Sequence, residues 1–325
     1  MRAWLKKPAV VFGVLLLALL ALRVPFFFTH HVQEDAYISL RCAESFAETG
    51  VYGFNPGEKV SASTSHLYVF LATVVRLIAG HEAFIPAVLV VNTLFLLAGV
   101  YFIARVLARS WKQALILWVC VSVRPISLLI SYSGMETSLL IFVVGLVMYL
   151  MHYNRHTWLA WLGLALLPWV RPDALAYALI LLFWQVVRNR KMPWGGLAAA
   201  ALGTGTLVLF NQLYFGSPLQ QSINAKMLMR HSFSLSRLIN NIELVFTGQY
   251  GGIFAPIHTK YLQPVGVIFL VAILAAAILL IYRNRDGRDR LVTVLCLVSI
   301  SLVIPLAYAF GGVLYQWYFW PCTLL

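Results

Sequence analysis

The sequence predicts an all-α polytopic integral membrane protein, a helical bundle of about nine spans. Three observations carry that expectation. Hydrophobic residues make up 61% of the 325 positions and charged residues only 11%, far from the mix of a soluble domain. Apolar runs recur from Pro8 to the C-terminus, and the better ones approach the roughly 20 residues a helix needs to cross a bilayer. The formal charge of +13 sits in short basic clusters between those runs, which fits the positive-inside rule and argues against nucleic acid as a partner.

The elements follow in order. The run Pro8–Phe28 comes after Arg2, Lys6 and Lys7. It is too long for a signal-peptide core and no small-residue cleavage site follows, so it reads as a retained anchor. The ambiguous segment is Ser65–Gly80, which is short, holds His66 and Arg76, and opens on the polar stretch Ser61–Ser65. As a span it would put Arg105, Arg109 and Lys112 outside; as an amphipathic interfacial helix it leaves the charge rule intact at every later turn. The spans are then Pro8–Phe28, Ala83–Ala104, Ala114–Ile130, Thr137–Met151, Trp158–Val170, Ala174–Val187, Trp194–Tyr214, Tyr261–Tyr282 and Leu291–Phe310. Fourteen basic and two acidic residues fall inside, against ten basic and nine acidic elsewhere. The N-terminus is cytoplasmic on this reading.

The first outer loop, 29–82, is expected to hold two interfacial helices. Ala36–Thr49 has an apolar stripe through Ile38, Cys42 and Phe46, with Leu40 and Ala43 on a neighbouring stripe and Arg41, Glu44 and Glu48 turned to water. Gly50, Gly53 and Asn55-Pro56-Gly57 supply turn chemistry before Ser65–Gly80 returns to the membrane. A large outer loop covers 215–260, and the whole of 1–325 reads as one transmembrane domain. The chain stops five residues into a fresh apolar run at Trp320-Pro321-Cys322-Thr323-Leu324-Leu325, so further C-terminal spans or a soluble domain are expected beyond it. Cys42, Cys120, Cys296 and Cys322 lack metal-ligand spacing; a Cys42–Cys322 disulfide is conceivable, and small buried side chains are the default.

Under this topology the unusual polar groups share the outer face. Glu34 and Asp35 are adjacent carboxylates where the chain first leaves the bilayer. Partial desolvation there suits a carboxylate to act as a base or to hold a cation, and marking the membrane boundary is the plainer reading. Glu136 is the one charge of the second outer loop, Arg171 and Asp173 flank Pro172 in the third, and Lys226, His258 and Lys260 lie in the fourth.

The ordered set Glu34-Asp35-Ala36-Tyr37-Ile38, Tyr52–Val60, Ser133-Gly134-Met135-Glu136-Thr137, Arg171-Pro172-Asp173 and Tyr214–Leu219 with Ala225-Lys226 resembles the GT-C superfamily of polytopic membrane glycosyltransferases. Within it the likeness is to the mycobacterial terminal arabinofuranosyltransferase type. The resemblance implies a GT-C-like bundle in a bacterial inner (plasma) membrane. It implies a polyprenyl-phosphate sugar donor, a cell-envelope glycan or lipid acceptor, and an active site on the extracytoplasmic side among membrane lipids. Two departures stand out: the family usually has two aspartates where this chain has Glu34-Asp35, and its members commonly continue well past this C-terminus.

On that resemblance Asp35 is the carboxylate at the reacting centre, with Glu34 assisting it or, with it, ligating a divalent ion such as Mg or Mn. Tyr37 belongs to the same motif as a substrate contact. Arg171 could hold a phosphate bidentately, or pair with Asp173 to cap the next span. Glu136 either meets substrate or complements a helix dipole, and Lys226 is either a phosphate neighbour or a snorkelling lysine. His66 and His258 are further substrate-binding candidates, with solvated interface histidines the plainer account. Arg124, inside a span beside Pro125, needs a partner in the bundle or must reach the outer edge. Trp317, Tyr318 and Trp320 read as an interface belt. The alternative function is a non-enzymatic transporter or assembly scaffold for lipid-linked sugars, although a transporter more often carries its polar groups near mid-membrane.

Overall fold

The structure, a computed structural model, describes residues 8–29, 32–221 and 285–311, and every regular element among them is helical. The order is α1 (Pro8–Ala21), α2 (Val24–Phe27), α3 (Glu34–Thr49), α4 (His66–Ala79), α5 (Phe84–Leu107) and α6 (Trp111–Ser122). There follow α7 (Pro125–Tyr132), α8 (Thr137–His152), α9 (Thr157–Val170), a 3-10 turn at Pro172–Ala174, α10 (Leu175–Asn189), α11 (Trp194–Phe215) and α12 (Arg285–Gly311). By packing, α1 to α9 and α11 form one unit, while α10 and α12 belong to a second.

By length and composition, α5 and α11 are long and apolar enough to cross a membrane, and the bent pair α6–α7 makes a third if counted as one span. The expected span Ala114–Ile130 is not one straight helix. It breaks at Val123-Arg124 and turns by 71°. Pro125 disfavours helical backbone at the residue before it, and Arg124 is extended at φ −62°, ψ 143°. The expected anchor Pro8–Phe28 likewise divides into α1 and the short α2, with Arg23 between them. Helices α1, α8, α9 and α10 stand where spans are expected but run 14, 16, 14 and 15 residues. At 1.5 Å per residue those lengths reach about 21–24 Å, short of the roughly 30 Å of hydrocarbon in a bilayer. The segment Tyr261–Tyr282 lies outside the described residues.

Between α2 and α5 the chain forms two helices, as expected for this stretch. α3 packs on α4, and α4 packs on α5 and α9. The far side of α4 presents Val74, Leu77 and Ile78, all exposed and apolar, which is the composition of a lipid-facing surface. Glu44, Glu48, Arg76 and His81 form a surface charge cluster between α3 and α4, with Arg76 Nη2 2.9 Å from Glu48 Oε1. Cys42 is buried on α3 with no disulfide, and burial pushes its thiol up to about 11.

The core of the first unit is the α5–α8 pair, with α9 on the far side of α8. Two glycines let α5 and α8 touch backbone to backbone. A Cβ at Gly145 would stand 2.5 Å from the Gly99 carbonyl oxygen, and one at Gly99 would stand 2.7 Å from that of Ile141. Close approach at small residues is the ordinary way apolar helices associate in lipid. Gly145→Leu is therefore expected to lower the detergent melting temperature, at a cost of at least about 2 kcal/mol from overpacking. Gly13→Leu on α1, where nothing lies within 4 Å of the added carbon, is the control and should melt like wild type.

Candidate functional site

The site is built where α3 begins. α3 starts two residues earlier than the sequence expectation, so Glu34 and Asp35 are its first two helical residues. Carboxylates there complement the positive helix end. Glu34 is exposed and Asp35 half-buried, and among the described residues neither carboxylate makes a hydrogen bond or ion pair. Tyr37 is 44% exposed on the same helix.

This end of α3 is pinned to the loop 133–136. The Gln33 N–H donates to the Ser133 carbonyl at 2.8 Å. Gly134 lies under Val32 and Ala36 with φ +73°, where an added Cβ would come 2.6 Å from Val32 Cγ1, so only glycine fits. Two buried side chains hold the loop from beneath. Tyr68 on α4 donates its hydroxyl to the Gly134 carbonyl, and Asn92 on α5 donates to the Tyr68 hydroxyl at 3.0 Å and to the Met135 carbonyl at 3.3 Å.

The loop ends on Glu136, buried at the start of α8, and Glu136 meets Arg171. The Arg171 guanidinium makes a two-pronged contact with Asp173, Nε to Oδ1 at 2.9 Å and Nη2 to Oδ2 at 2.7 Å. Its Nη1 donates to Glu136 Oε1 at 3.3 Å. Pro172 explains the geometry: it forces Arg171 into extended backbone at φ −155°, ψ 134°, which ends α9. Three motifs far apart in sequence thus meet at one corner, with Glu34 and Asp35 at the edge and a buried Arg171–Glu136–Asp173 cluster behind.

His66 has a different setting. It is fully buried, with the Tyr52 hydroxyl 2.7 Å from Nδ1 and Asn211 Oδ1 2.7 Å from Nε2. Gln220 Nε2 lies 3.0 Å from the same Nε2 and donates to the Thr64 carbonyl. A neutral ring that donates from Nε2 to Asn211 and accepts at Nδ1 from Tyr52 satisfies both contacts. Phe70, Phe210, Phe215 and Trp169 close an aromatic cluster around it and Tyr52. His66 therefore ties the segment before it, through Tyr52, and α4 to the end of α11, and is buried rather than solvated.

Burial holds the His66 ring down to about 4 from 6.5, against a smaller opposing effect of the Asn211 hydrogen bond. The folded state thus favours the neutral ring, and as pH falls the unfolded chain binds the proton first. Stability from this residue is fully present above about pH 6.5 and declines toward pH 4. Melting scans should show that decline in wild type and a flatter profile between pH 6.5 and 4 in His66→Gln.

Lys226 and His258 lie outside the described residues, as does the Trp317, Tyr318, Trp320 group. For the divalent ion, adjacent residues on a helix point about 100° apart. No third His, Cys, Asp or Glu joins Glu34 and Asp35 in a metal-holding group among the described residues. The pair by itself is not a closed cage. Tyr52 opens the motif Tyr52–Val60, but Tyr68, Asn92, Asn211 and Gln220 stand in no motif; a lone Asn inside each of two apolar runs was the available signal. No protein-family model, curated protein or solved structure matches this chain.

Proposed function

We propose that the protein is a membrane glycosyltransferase that moves a sugar from a polyprenyl-phosphate donor to a cell-envelope glycan or lipid acceptor on the extracytoplasmic side of a bacterial inner membrane. The observation that supports this most is the corner itself: a half-buried carboxylate at Asp35, unpaired among the described residues, set against a loop whose other end carries the largely buried Arg171–Glu136–Asp173 cluster. Asp35 takes the proton from the acceptor hydroxyl as its oxygen bonds the anomeric carbon. The bond from that carbon to the phosphate oxygen breaks, and its electron pair leaves with the polyprenyl phosphate. Arg171 is already held by two carboxylates, so its part is to fix the wall of the site; the charge of the leaving phosphate falls to another cation, for which Lys226 is the candidate.

The bent pair α6–α7 favours a second reading, since broken spans recur in transporters of lipid-linked and other substrates. One experiment separates the two. Purified protein is incubated with a panel of polyprenyl-phosphate sugars and an acceptor extract, with and without a chelator, and released polyprenyl phosphate is measured. Release by the protein supports the transferase and identifies the donor class. No release with any donor, together with movement of the donor across reconstituted vesicles, overturns it in favour of the transporter.

A further inference from the structure

We propose that the break between α6 and α7 is a receptor for the phosphate group of a membrane lipid. The inference needs the chain to sit in a bilayer, and it stands whether or not the protein transfers sugar.

The first observation is a buried cation with no counter-charge among the described residues. Arg23, 1% exposed, donates from Nη1 to the Leu19 carbonyl at 2.9 Å, from Nη2 to the Ser122 carbonyl at 2.6 Å and from Nε to Ser131 Oγ at 3.0 Å. Every acceptor is neutral, and no carboxylate among the described residues pairs with it. The carbonyl ends of α1 and α6 supply partial negative charge, on the order of half a unit each, which orients the guanidinium without matching its charge by ion pairing. A buried charge in an apolar setting is costly unless an opposite one accompanies it.

The second observation is what surrounds that charge. Arg124 stands two residues after Ser122, half-buried at the start of the eight-residue helix α7, with no side-chain hydrogen bond or ion pair among the described residues. The Ser122 hydroxyl is fully buried and has no partner among the described residues. Two guanidinium charges, an unused hydroxyl donor and the positive end of α7 therefore lie within a few residues of the break, and all of them attract an anion.

The third observation names the kind of anion. Leu22 and Val24, the neighbours of Arg23, and Val123, the neighbour of Arg124, are exposed apolar side chains, as is Phe28. Beside them Phe26 of α2 stacks on Tyr132 of α7 at 4.9 Å between ring centres. Cationic groups bordered by an exposed apolar ledge suit a ligand with a phosphate at one end and hydrocarbon at the other. Arg124 is the contact, while Arg23 acts as charge from behind.

The test uses the full chain in detergent and titrates three lipids: a polyprenyl phosphate, phosphatidylglycerol, and a neutral diacylglycerol. Wild type should bind the phosphate lipids and not diacylglycerol. Arg124→Gln should weaken phosphate-lipid binding about tenfold, and Arg124→Lys by less. Tighter binding of polyprenyl phosphate would mark the site as one for the donor lipid, and tighter binding of phosphatidylglycerol as one for the surrounding bilayer; either supports the receptor. Equal binding by wild type and Arg124→Gln overturns it, as does wild type that binds no phosphate lipid or binds diacylglycerol equally well. Because Arg23 is wholly buried, Arg23→Lys is compared only after a melting scan shows it folded. Donor turnover is read separately, so a chain that binds phosphate lipids without transfer retains this receptor and loses only the proposed activity.

Discussion

Asp35→Asn is expected to reduce sugar transfer by at least about a hundredfold, the lower range of what a positioned general base supplies, while leaving the melting temperature nearly unchanged. The contrast follows from the setting of this carboxylate. It is half-buried at the first turn of α3, and among the described residues no hydrogen bond or ion pair depends on it. Its structural contribution is the complement it offers to the helix end, about 0.3–1 kcal/mol at an exposed position, and Asn keeps the shape of the side chain. A residue that only marks the membrane boundary would lose neither activity nor much stability on this exchange. The measurement is polyprenyl phosphate released by the purified variant beside wild type, with melting curves from the same preparations. Wild-type turnover in the variant would remove Asp35 from the reaction and leave it as a helix-end charge. Glu34→Gln is the companion: Glu34 is fully on the surface, and its loss should cost far less.

Much of this architecture is legible in the sequence where local chemistry decides it. The 3.6-residue periodicity of Ala36–Thr49 marks α3, although its buried face runs through Ala36, Leu40 and Ala43 and leaves Ile38 and Phe46 half-buried, and Gly50, left-handed at φ 70°, ends it where the turn residues begin. What misleads is a run whose apolar character continues across a backbone break. Ala114–Ile130 reads as one span because both sides of Val123-Arg124 are hydrophobic, yet Pro125 alone suffices to turn the chain. The corner is half legible. Glu34, Asp35, Glu136, Arg171 and Asp173 each stand out as rare charges in an apolar chain, but that Arg171 faces Glu136 across 35 residues is a property of how α8 and α9 pack. His66 shows the limit most plainly: its partners Asn211 and Gln220 lie 145 and 154 residues away, so its burial follows from the packing of α4 on α11 and leaves no local trace.

Removing the charge of Arg171 is expected to be the most damaging single change to the fold. Its side chain is 10% exposed, Glu136's 8% and Asp173's 20%, so the cluster is largely out of water. Arg171→Met leaves two carboxylates facing a methyl group, and breaking a buried pair by deleting one partner typically costs about 3–5 kcal/mol. Glu136→Gln should cost much less, because an amide oxygen still accepts from Nη1 and the two-pronged Asp173 contact remains. Arg171→Lys should fall between them, since an ammonium keeps the charge but cannot span both Asp173 oxygens. Combining Arg171→Met with Glu136→Gln and Asp173→Asn should recover most of the loss, as the three charges are then removed together. Melting temperatures of the four variants in one detergent test that order. The same series decides what Arg171 does for the reaction. If it contacts donor phosphate, Arg171→Lys raises the KM for donor more than its melting loss explains; if it only shapes the wall, KM and melting move together and the triple variant restores both. The crossing of those two readouts matters because the cluster sits directly behind the loop that carries Gly134 and, through it, the start of α3. A wall that slackens at Glu136 would shift Asp35 without touching it, and only a variant that restores the fold while omitting every charge of the cluster can tell that effect from the loss of a phosphate ligand.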